Sequence, residues 1–345
     1  MPVTSSATSS PAPALGAAAV EREMFYAEAL NDALRIEMRR DPRVIVLGED
    51  IAEHGGAFQV TAGLLAEFGP TRILQTPISE IGLVDTAVGA ALTGMRPVAE
   101  LMYIDFSGLA IDQIVNQAAQ NRFMFGGQAR VPLVVRTQGG SGRGNAAQHS
   151  KSLEAWFTHV AGLKVVMPST PADAKGLLAE AIRDDDPVMF IEHKLLYRTK
   201  GPVPAGEYLV PLGKADIKRE GTDLTIITWS REVIFSLEAA AKLADEGISA
   251  EVVDLRSLVP LDKDAILSSV RRTRHCLVVH EAIKRGGYGG EIAAIVAEEA
   301  FDDLDAPPRR LAGLETPIPY AQPLELGVVP QVDDIVRAAR ELVHG

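Results

Sequence analysis

Short apolar runs rich in valine and isoleucine alternate along this chain with longer stretches of helical periodicity. Each run has three to five residues, as expected for strands that are buried on both faces. In the first half of the chain the runs lie at 44–47, 98–102, 133–135, 163–167 and 188–191. The helical stretches between them can serve as the crossovers that parallel strands require. The alternation therefore predicts an α/β fold in which a parallel sheet carries helices on both faces.

Three helices of the first half can be placed from local signals. In residues 23–40, apolar positions recur at helical spacing among charged ones, which predicts an amphipathic helix. Thr170 can cap another helix, because Pro171 suits the first helical position and Asp173 completes a capping box. The small residues at helical spacing in 82–94 predict a buried central helix.

A break in the apolar pattern divides the chain. Prolines and glycines at 199–211 predict a linker, and 345 residues are too many for one compact core. We expect one domain at 22–198 and a smaller α/β domain at 212–345. Its strands are expected at 224–228, 252–255 and 277–280, and its helices near 233–246, 290–300 and 331–343. Residues 1–21 are mainly Ser, Thr, Ala and Pro, so we expect a disordered leader there.

Charge and composition exclude several functional classes. The 34 Lys and Arg against 46 Asp and Glu give a formal net charge of −12, which attracts neither nucleic acid nor anionic lipid. No stretch has the roughly 20 apolar residues of a membrane span, and the start lacks a secretory signal pattern, so we expect a cytoplasmic protein. The single cysteine, Cys276, has apolar neighbours that predict a buried, inert thiol. The sequence contains no phosphate-binding P-loop motif.

Two side chains are candidates for chemistry on their position alone. Glu80 lies at a predicted helix start in apolar company, so its carboxyl either caps the first turn or acts as a tuned acid. His149 follows a glycine-rich loop after a strand, where open α/β sheets place ligand groups. Phe106 also follows a strand, a position where most aromatic residues belong to the core. The residues alone leave these alternatives open.

Metal-binding patterns are weak. The seven histidines are scattered, and none stands four residues from another with an acid between them, so we predict no zinc site. Three consecutive aspartates at 184–186 close a predicted helix. They form either a solvated turn or the surroundings of a cation held mainly by the main-chain oxygens at that helix end.

Many ordered segments resemble the beta subunits of the thiamine-diphosphate-dependent 2-oxo acid dehydrogenases. The resemblance runs from about residue 23 to residue 343, and Thr-Pro-Ile-Ser-Glu at 76–80 and Ala-Gln-His-Ser at 147–150 are among its most specific parts. The other segments lie at 47–50, 55–58, 94–97, 161–166, 168–178, 181–184, 280–282 and 317–320.

The resemblance implies a chain organised like half of a transketolase. A pyrimidine-binding domain with the thiamine-diphosphate-binding fold would precede a transketolase C-terminal-like domain. An alpha subunit would supply the pyrophosphate-binding half in an alpha2beta2 heterotetramer, with an interface well above about 2,000 Å². Consistently, this sequence has no Gly-Asp-Gly followed by a magnesium-binding Asn. Thiamine diphosphate would lie between the chains, magnesium would be bound on the alpha subunit, and this chain alone would be inactive.

The resemblance also gives Glu80 a catalytic role. Its carboxyl would share a proton with N1′ of the cofactor's pyrimidine, so that the 4′-amino group can remove the proton from thiazolium C2. Burial raises the pKa of a carboxyl group and so makes such a transfer easier than in water.

Five further residues match the family's cofactor pocket. Phe106 matches an aromatic residue that packs against the aminopyrimidine, and Met102 and Ile78 would complete that pocket. His149 matches a histidine near the thiazolium that acts as acid or base while the acyl group passes to a lipoyl disulfide. Glu49 matches an acid on a polar path between the two sites of the tetramer, with a paired structural acid as the alternative.

By the same matching, the end of one predicted helix resembles a potassium site that some members of the family have. Main-chain oxygens would do most of the binding. The matching positions are Leu133, Ala181, Asp184 and Asp186.

The implied function is that of a beta subunit working with an alpha subunit. Together they would decarboxylate a 2-oxo acid, with pyruvate favoured, and acylate the lipoyl group of a dihydrolipoyl acyltransferase core. Acetoin and branched-chain substrates are alternatives. A single-chain synthase of the same superfamily lacks support, because the pyrophosphate motif is missing. A non-catalytic structural partner is the alternative from another class.

Overall fold

A computed structural model describes residues 21–345, which contain 14 strands and 11 α-helices. The strands are β1 Glu21–Phe25, β2 Val44–Gly48, β3 Ile73–Gln75, β4 Arg96–Leu101, β5 Val134–Gly139, β6 Lys164–Val166, β7 Val188–His193, β8 Lys200–Pro204, β9 Asp216–Arg219, β10 Leu224–Thr228, β11 Ala250–Asp254, β12 Ser257–Val259, β13 Cys276–Ile283 and β14 Arg309–Gly313. The helices are α1 Tyr26–Arg40, α2 Leu64–Phe68, α3 Glu80–Leu92, α4 Ala119–Met124, α5 Glu154–Thr158, α6 Pro171–Arg183, α7 Glu232–Asp245, α8 Lys263–Thr273, α9 Gly289–Glu299, α10 Gln322–Leu326 and α11 Val332–His344.

The larger sheet has seven strands in the order β12-β6-β7-β5-β4-β2-β3. All neighbouring pairs are parallel except the edge pair β12 and β6. Every residue of β2, β5 and β7 is buried, because helices cover both faces of the sheet. The parallel sheet predicted from the apolar runs is confirmed.

The smaller sheet has five strands in the order β14-β13-β10-β11-β9, and only β9 runs antiparallel to its neighbour. Helices α7 and α11 pack on each other and on one side of this sheet. The other side belongs to a hydrophobic core that also contains residues of α3, β4 and β5. One continuous core therefore joins the two halves of the chain.

The structure differs from the sequence-based expectations at both ends of the first domain. Residue Glu21, placed in the disordered leader, begins β1, and residues 1–20 lie outside the described part of the chain. The expected linker at 199–211 contains β8, which pairs antiparallel with β1. Its prolines are tolerated because a two-stranded ribbon leaves outward positions free of hydrogen bonds.

Helix α3 is not the fully buried helix that its small residues predict. One face is buried through Leu83, Val84 and Ala87, whereas Ile81 and Leu92 on the opposite face are exposed. Small side chains allow one face to approach the sheet closely, but they do not determine what covers the other face. None of the helices in residues 21–345 is both long and apolar enough to cross a bilayer.

Candidate active site

The candidate residues lie beyond the carboxyl ends of neighbouring parallel strands. Glu49 directly follows β2, and Met102 directly follows β4. Phe106 lies in a short 3₁₀ helix after β4, and His149 ends another 3₁₀ turn after β5. Because β2, β4 and β5 are adjacent and parallel, their carboxyl ends meet at one edge of the sheet.

Glu80 and Glu49 form a pair of buried carboxylates at this edge. Glu80 is the first residue of α3 and is 7% exposed, and Glu49 is 8% exposed. Burial, reinforced by the negative charge of Glu80, raises the pKa of Glu49. Neither carboxylate accepts a hydrogen bond from another residue in 21–345, so Glu80 does not cap its helix. The carboxylate oxygens of both residues are free to accept hydrogen bonds, and a pair of mostly buried acids that bond no other group of the chain is typical of a site that binds a ligand.

His149 and Phe106 form a second cluster. The two rings meet edge to face with centroids 5.3 Å apart. Tyr103 contacts His149 in the same way, also at 5.3 Å. The ring of His149 is therefore held between the rings of Phe106 and Tyr103.

Lys194 is a site residue that the sequence analysis missed. Its ammonium group donates a hydrogen bond to the main-chain oxygen of His149 and lies 5.6 Å from the ring centre of Tyr103. Burial lowers the pKa of Lys194 to about 8. Lys194 directly follows β7, so the rule that places ligand groups after parallel strands could have identified it.

The two remaining pocket candidates differ in their surroundings. Met102 is partly buried, whereas Ile78 is 80% exposed. An isoleucine this exposed beside a buried carboxylate gains nothing from the rest of this chain. Its side chain is available to an apolar group from a ligand or from another subunit.

The proposed potassium residues surround the end of α6. Lys164 Nζ lies 2.6 Å from the carboxylate of Asp184 and 3.2 Å from that of Asp186, so these side chains are already paired. The Leu133 carbonyl accepts one hydrogen bond from the Val188 amide at 2.9 Å and keeps a second lone pair. The main-chain oxygen of Asp184 already accepts a hydrogen bond from Arg96 Nη1 at 3.0 Å, so the main-chain oxygens of the other three positions are those left for a cation here. No group of three metal-ligating side chains occurs within residues 21–345.

The residues at the strand ends fit a cofactor with a flat, nitrogen-containing ring. Such a ring can donate a hydrogen bond to the unpartnered Glu80 carboxylate and place its apolar face on Phe106. Its reacting part could then reach the imidazole of His149. The fit rests on the chemistry of three groups at one edge of the sheet: an acid, an aromatic face and a group that can act as acid or base.

Comparisons with known proteins identify the two domains of this chain. Residues 22–200 match the family described as transketolase, pyrimidine binding domain, and residues 213–335 match transketolase, C-terminal domain. Among solved structures, a split-gene transketolase forming an inactive beta4 tetramer superposes with a TM-score of 0.76. That alignment covers 94% of this chain and 99% of the other at 22% identity, and it shows the shared fold.

Three curated relatives are each 49% identical to this chain. The beta subunit of acetoin:2,6-dichlorophenolindophenol oxidoreductase from Bacillus subtilis (strain 168) aligns over 93% of this chain and 98% of its own length. The mitochondrial pyruvate dehydrogenase E1 component subunit beta-2 of Oryza sativa subsp. japonica aligns over 94% and 88%. The 2-oxoisovalerate dehydrogenase subunit beta of Bacillus subtilis (strain 168) aligns over 93% and 99%. The chain belongs to the transketolase-like beta subunits of the thiamine-diphosphate-dependent 2-oxo acid dehydrogenases.

Proposed function

We propose that this chain, paired with an alpha subunit, decarboxylates a 2-oxo acid on thiamine diphosphate and passes the acyl group to a lipoyl group. The observation that carries the proposal is the pair of buried carboxylates, Glu49 and Glu80, that find no hydrogen-bond partner within the described chain. They stand at the same sheet edge as the Phe106–His149 cluster. A cofactor that lies between two subunits would supply the missing partner.

The protein residues would hold the cofactor and move protons around it. When bound, thiamine diphosphate supplies an acidic carbon that adds to the carbonyl of the substrate. Glu80 would hold a proton at the pyrimidine nitrogen, and Phe106 would support the flat face of that ring. His149 would donate or accept a proton during transfer of the acyl group to the lipoyl disulfide. Glu49, whose pKa is raised by burial and by the charge of Glu80, would lie on a polar path between the two sites of the tetramer.

The surface of the single chain supports association with a partner. Phe123, Met124 and Phe125 are consecutive apolar residues that are all exposed. Ile78 beside Glu80 and Tyr320 in the C-terminal half are also exposed. Exposed apolar groups of this kind mark subunit interfaces. We propose an alpha2beta2 heterotetramer docked on an acyltransferase core, with magnesium and the cofactor's diphosphate bound on the alpha subunit.

The test is the activity of the chain reconstituted with its alpha subunit. We expect neither chain alone to consume a 2-oxo acid and the mixture to do so when thiamine diphosphate and Mg²⁺ are present. Glu80→Gln should lower this rate by about 10²–10⁴-fold, because the amide cannot exchange a proton at the pyrimidine nitrogen. Glu298→Gln, at an exposed position of α9, is the control and should retain full activity. An unchanged rate in Glu80→Gln would favour the non-catalytic structural role.

The substrate belongs to the same proposal. Relatives named for acetoin, pyruvate and 2-oxoisovalerate are equally similar to this chain. We propose pyruvate, and a comparison of kcat/KM for pyruvate, acetoin and branched 2-oxo acids in the reconstituted complex tests it. If kcat/KM is larger for acetoin or for a branched acid, that compound is the substrate and the proposal of pyruvate is wrong.

Potassium binding and a cytoplasmic location are two further proposals. Potassium would bind main-chain oxygens around Leu133, Ala181, Asp184 and Asp186, and it would share the Asp184 oxygen with Arg96, because Lys164 already pairs with both aspartate carboxylates. Replacing KCl by NaCl at equal ionic strength should then lower the Tm of the chain, and identical Tm values would contradict the site. Fractionation of cells that express the chain tests the location.

A further inference from the structure

The loop that carries His149 is held by charged side chains from outside the loop. It runs from the end of β5 at Gly139 to Ser150, and its middle is rich in glycine. Three of its amide groups, those of Ser141, Gly142 and Gly144, donate hydrogen bonds to carboxylates of the second half of the chain. The main-chain bonds that join the loop to its surroundings lie at its start, from Gly140 N to Lys151 O and from Lys194 N to Gly139 O, so its glycine-rich middle depends on the carboxylates for its shape.

Glu325 binds two amide groups of this loop. It lies in α10, is fully buried, and accepts hydrogen bonds from Gly142 N at 2.6 Å and from Gly144 N at 2.8 Å. Both oxygens of one carboxylate therefore bind alternate amides, which fixes the intervening Arg143. Charge-assisted bonds of this kind are about twice as strong as neutral ones.

Glu281 provides a second anchor. Its carboxylate accepts hydrogen bonds from Ser141 N at 2.6 Å and from His193 Nε2 at 2.8 Å. The Leu195 amide donates to His193 Nδ1, so the neutral imidazole carries its proton on Nε2. Burial opposes ionisation of Glu281, but His193, Arg231 and the Ser141 amide lower its pKa to about 2. This anchor is therefore charged throughout the physiological range.

The loop also requires glycine where it passes the second anchor. Gly140 has φ of +87°, and a Cβ atom there would lie 2.0 Å from the ring of His193. The far end of the loop is held by Lys194, which donates to the main-chain oxygen of His149. The loop is thus fixed at its start, middle and end.

We propose that Glu325 and Glu281 are positioning residues, through which the C-terminal half of the chain sets the place of His149. The inference rests on the proposed function, in which His149 takes part in acyl transfer to the lipoyl group. The C-terminal half would then affect the reaction without touching the substrate, because it holds the loop that carries His149. Glu325 is the residue to test, because Glu281 also neutralises Arg231 and its loss would disturb the structure more widely.

Trypsin cleavage reports directly on the proposed contact. Arg143 is exposed, and the bond that trypsin cuts after it contains the amide of Gly144, which Glu325 binds. In the full-length chain we expect Glu325→Ala to speed cleavage at this bond at least about tenfold relative to cleavage after Lys214, whose side chain is 63% exposed. Glu325→Gln, which keeps one acceptor oxygen, should give an intermediate rate.

Glu251→Gln is the matched control. Glu251 is fully buried in β11 and binds Ser269 and Arg272 of α8, with no bond to the loop. We expect a similar loss of Tm in this variant without faster cleavage after Arg143. Equal cleavage after Arg143 in Glu325→Ala and in the wild type would overturn the proposal, whatever the activity of the complex.

Activity of the reconstituted complex provides the second readout. We expect Glu325→Gln to lower the rate of lipoyl acylation about tenfold or more, with KM for the 2-oxo acid unchanged. Decarboxylation measured with dichlorophenolindophenol as electron acceptor should fall less than about threefold. Equal losses in both assays would contradict a role through His149. Absence of decarboxylation in the wild type would instead refute the proposed function, and the cleavage experiment would still decide the role of Glu325.

Discussion

Glu154 is a buried acid at the junction of the two halves of the chain. It is 1% exposed, and Trp229 Nε1 donates a hydrogen bond to one of its oxygens at 3.3 Å. Its other oxygen has no partner among the described residues. Burial raises the pKa of Glu154 to about 7, and the nearby charge of Glu281 acts in the same direction. The folded chain therefore holds a proton here that the unfolded chain releases.

This proton makes the stability of the chain depend on pH. In the unfolded chain Glu154 ionises above its ordinary pKa of 4.5, whereas in the folded chain it ionises only near pH 7. Between these values the unfolded state binds fewer protons, so the free energy of unfolding falls as pH rises. We expect the wild type to lose about 2–3 kcal/mol more than Glu154→Gln between pH 5 and pH 8.

Urea unfolding at pH 5, 6, 7 and 8 measures this difference. Glu298→Gln removes an exposed carboxylate from α9 and should follow the wild type at each pH. Parallel curves for the wild type and Glu154→Gln would show that Glu154 is not protonated in the folded chain.

At the scale of elements, Arg136 of β5 ties the centre of the larger sheet to its neighbours. It bonds Glu100 of β4 at 2.7 Å and Glu192 of β7 at 2.5 Å, and all three side chains are at most 3% exposed. The Tyr197 hydroxyl donates a further bond to Glu192. Because one cation serves two buried acids, neither acid has another positive partner within the described residues.

Arg136→Met should therefore be strongly destabilising. The variant leaves buried acids without a countercharge, and we expect the free energy of unfolding to fall by about 3–5 kcal/mol. Arg271→Met is the control, because Arg271 forms an exposed pair with Asp303 and should contribute less than about 1 kcal/mol. Urea unfolding measures the free energy of unfolding of both variants. Equal losses of this free energy would contradict a special role for the buried network.

Apolar periodicity predicts the strands and helices that carry a continuous apolar run or a helical repeat. It does not predict strands that form by pairing with a segment far away in the chain. The runs at 44–47 and 188–191 are β2 and β7, because strands that are buried on both faces carry continuous apolar side chains. Strand β8 was placed in a linker, since its pairing with β1 joins residues that are about 180 positions apart. Helix α8 was not predicted, although the side chain of Asp262 caps it through the Ala265 amide.

The sequence predicts some residues of the candidate site and misses others. Sequence resemblance brought together Phe106 and His149, and their rings are in contact. It missed Lys194 and Glu325, which act through main-chain atoms of the loop around His149. Bonds to main-chain atoms leave no trace in the residue types of the loop itself.

At the scale of the whole molecule, an exposed apolar patch predicts assembly. Phe123, Met124 and Phe125, here called the 123–125 patch, are between 56% and 86% exposed. Phe123→Ser should leave the unfolding free energy of the isolated chain within about 0.5 kcal/mol, because the ring packs on little in this chain. We expect it to raise the Kd for the alpha subunit or for the second beta subunit about tenfold or more.

Sedimentation of the mixed subunits measures this effect. Phe301→Ser, at an isolated exposed aromatic residue after α9, is the control. Equal Kd values for both variants and the wild type would place the subunit interface elsewhere.

The most direct test of the central claim is a crystal structure of the chain assembled with its alpha subunit and thiamine diphosphate. We expect the Glu80 carboxylate at about 2.6–3.2 Å from the pyrimidine N1′, with Phe106 against the ring and the diphosphate held by the alpha subunit. A structure in which Glu80 faces solvent away from the bound coenzyme would contradict the catalytic role of Glu80.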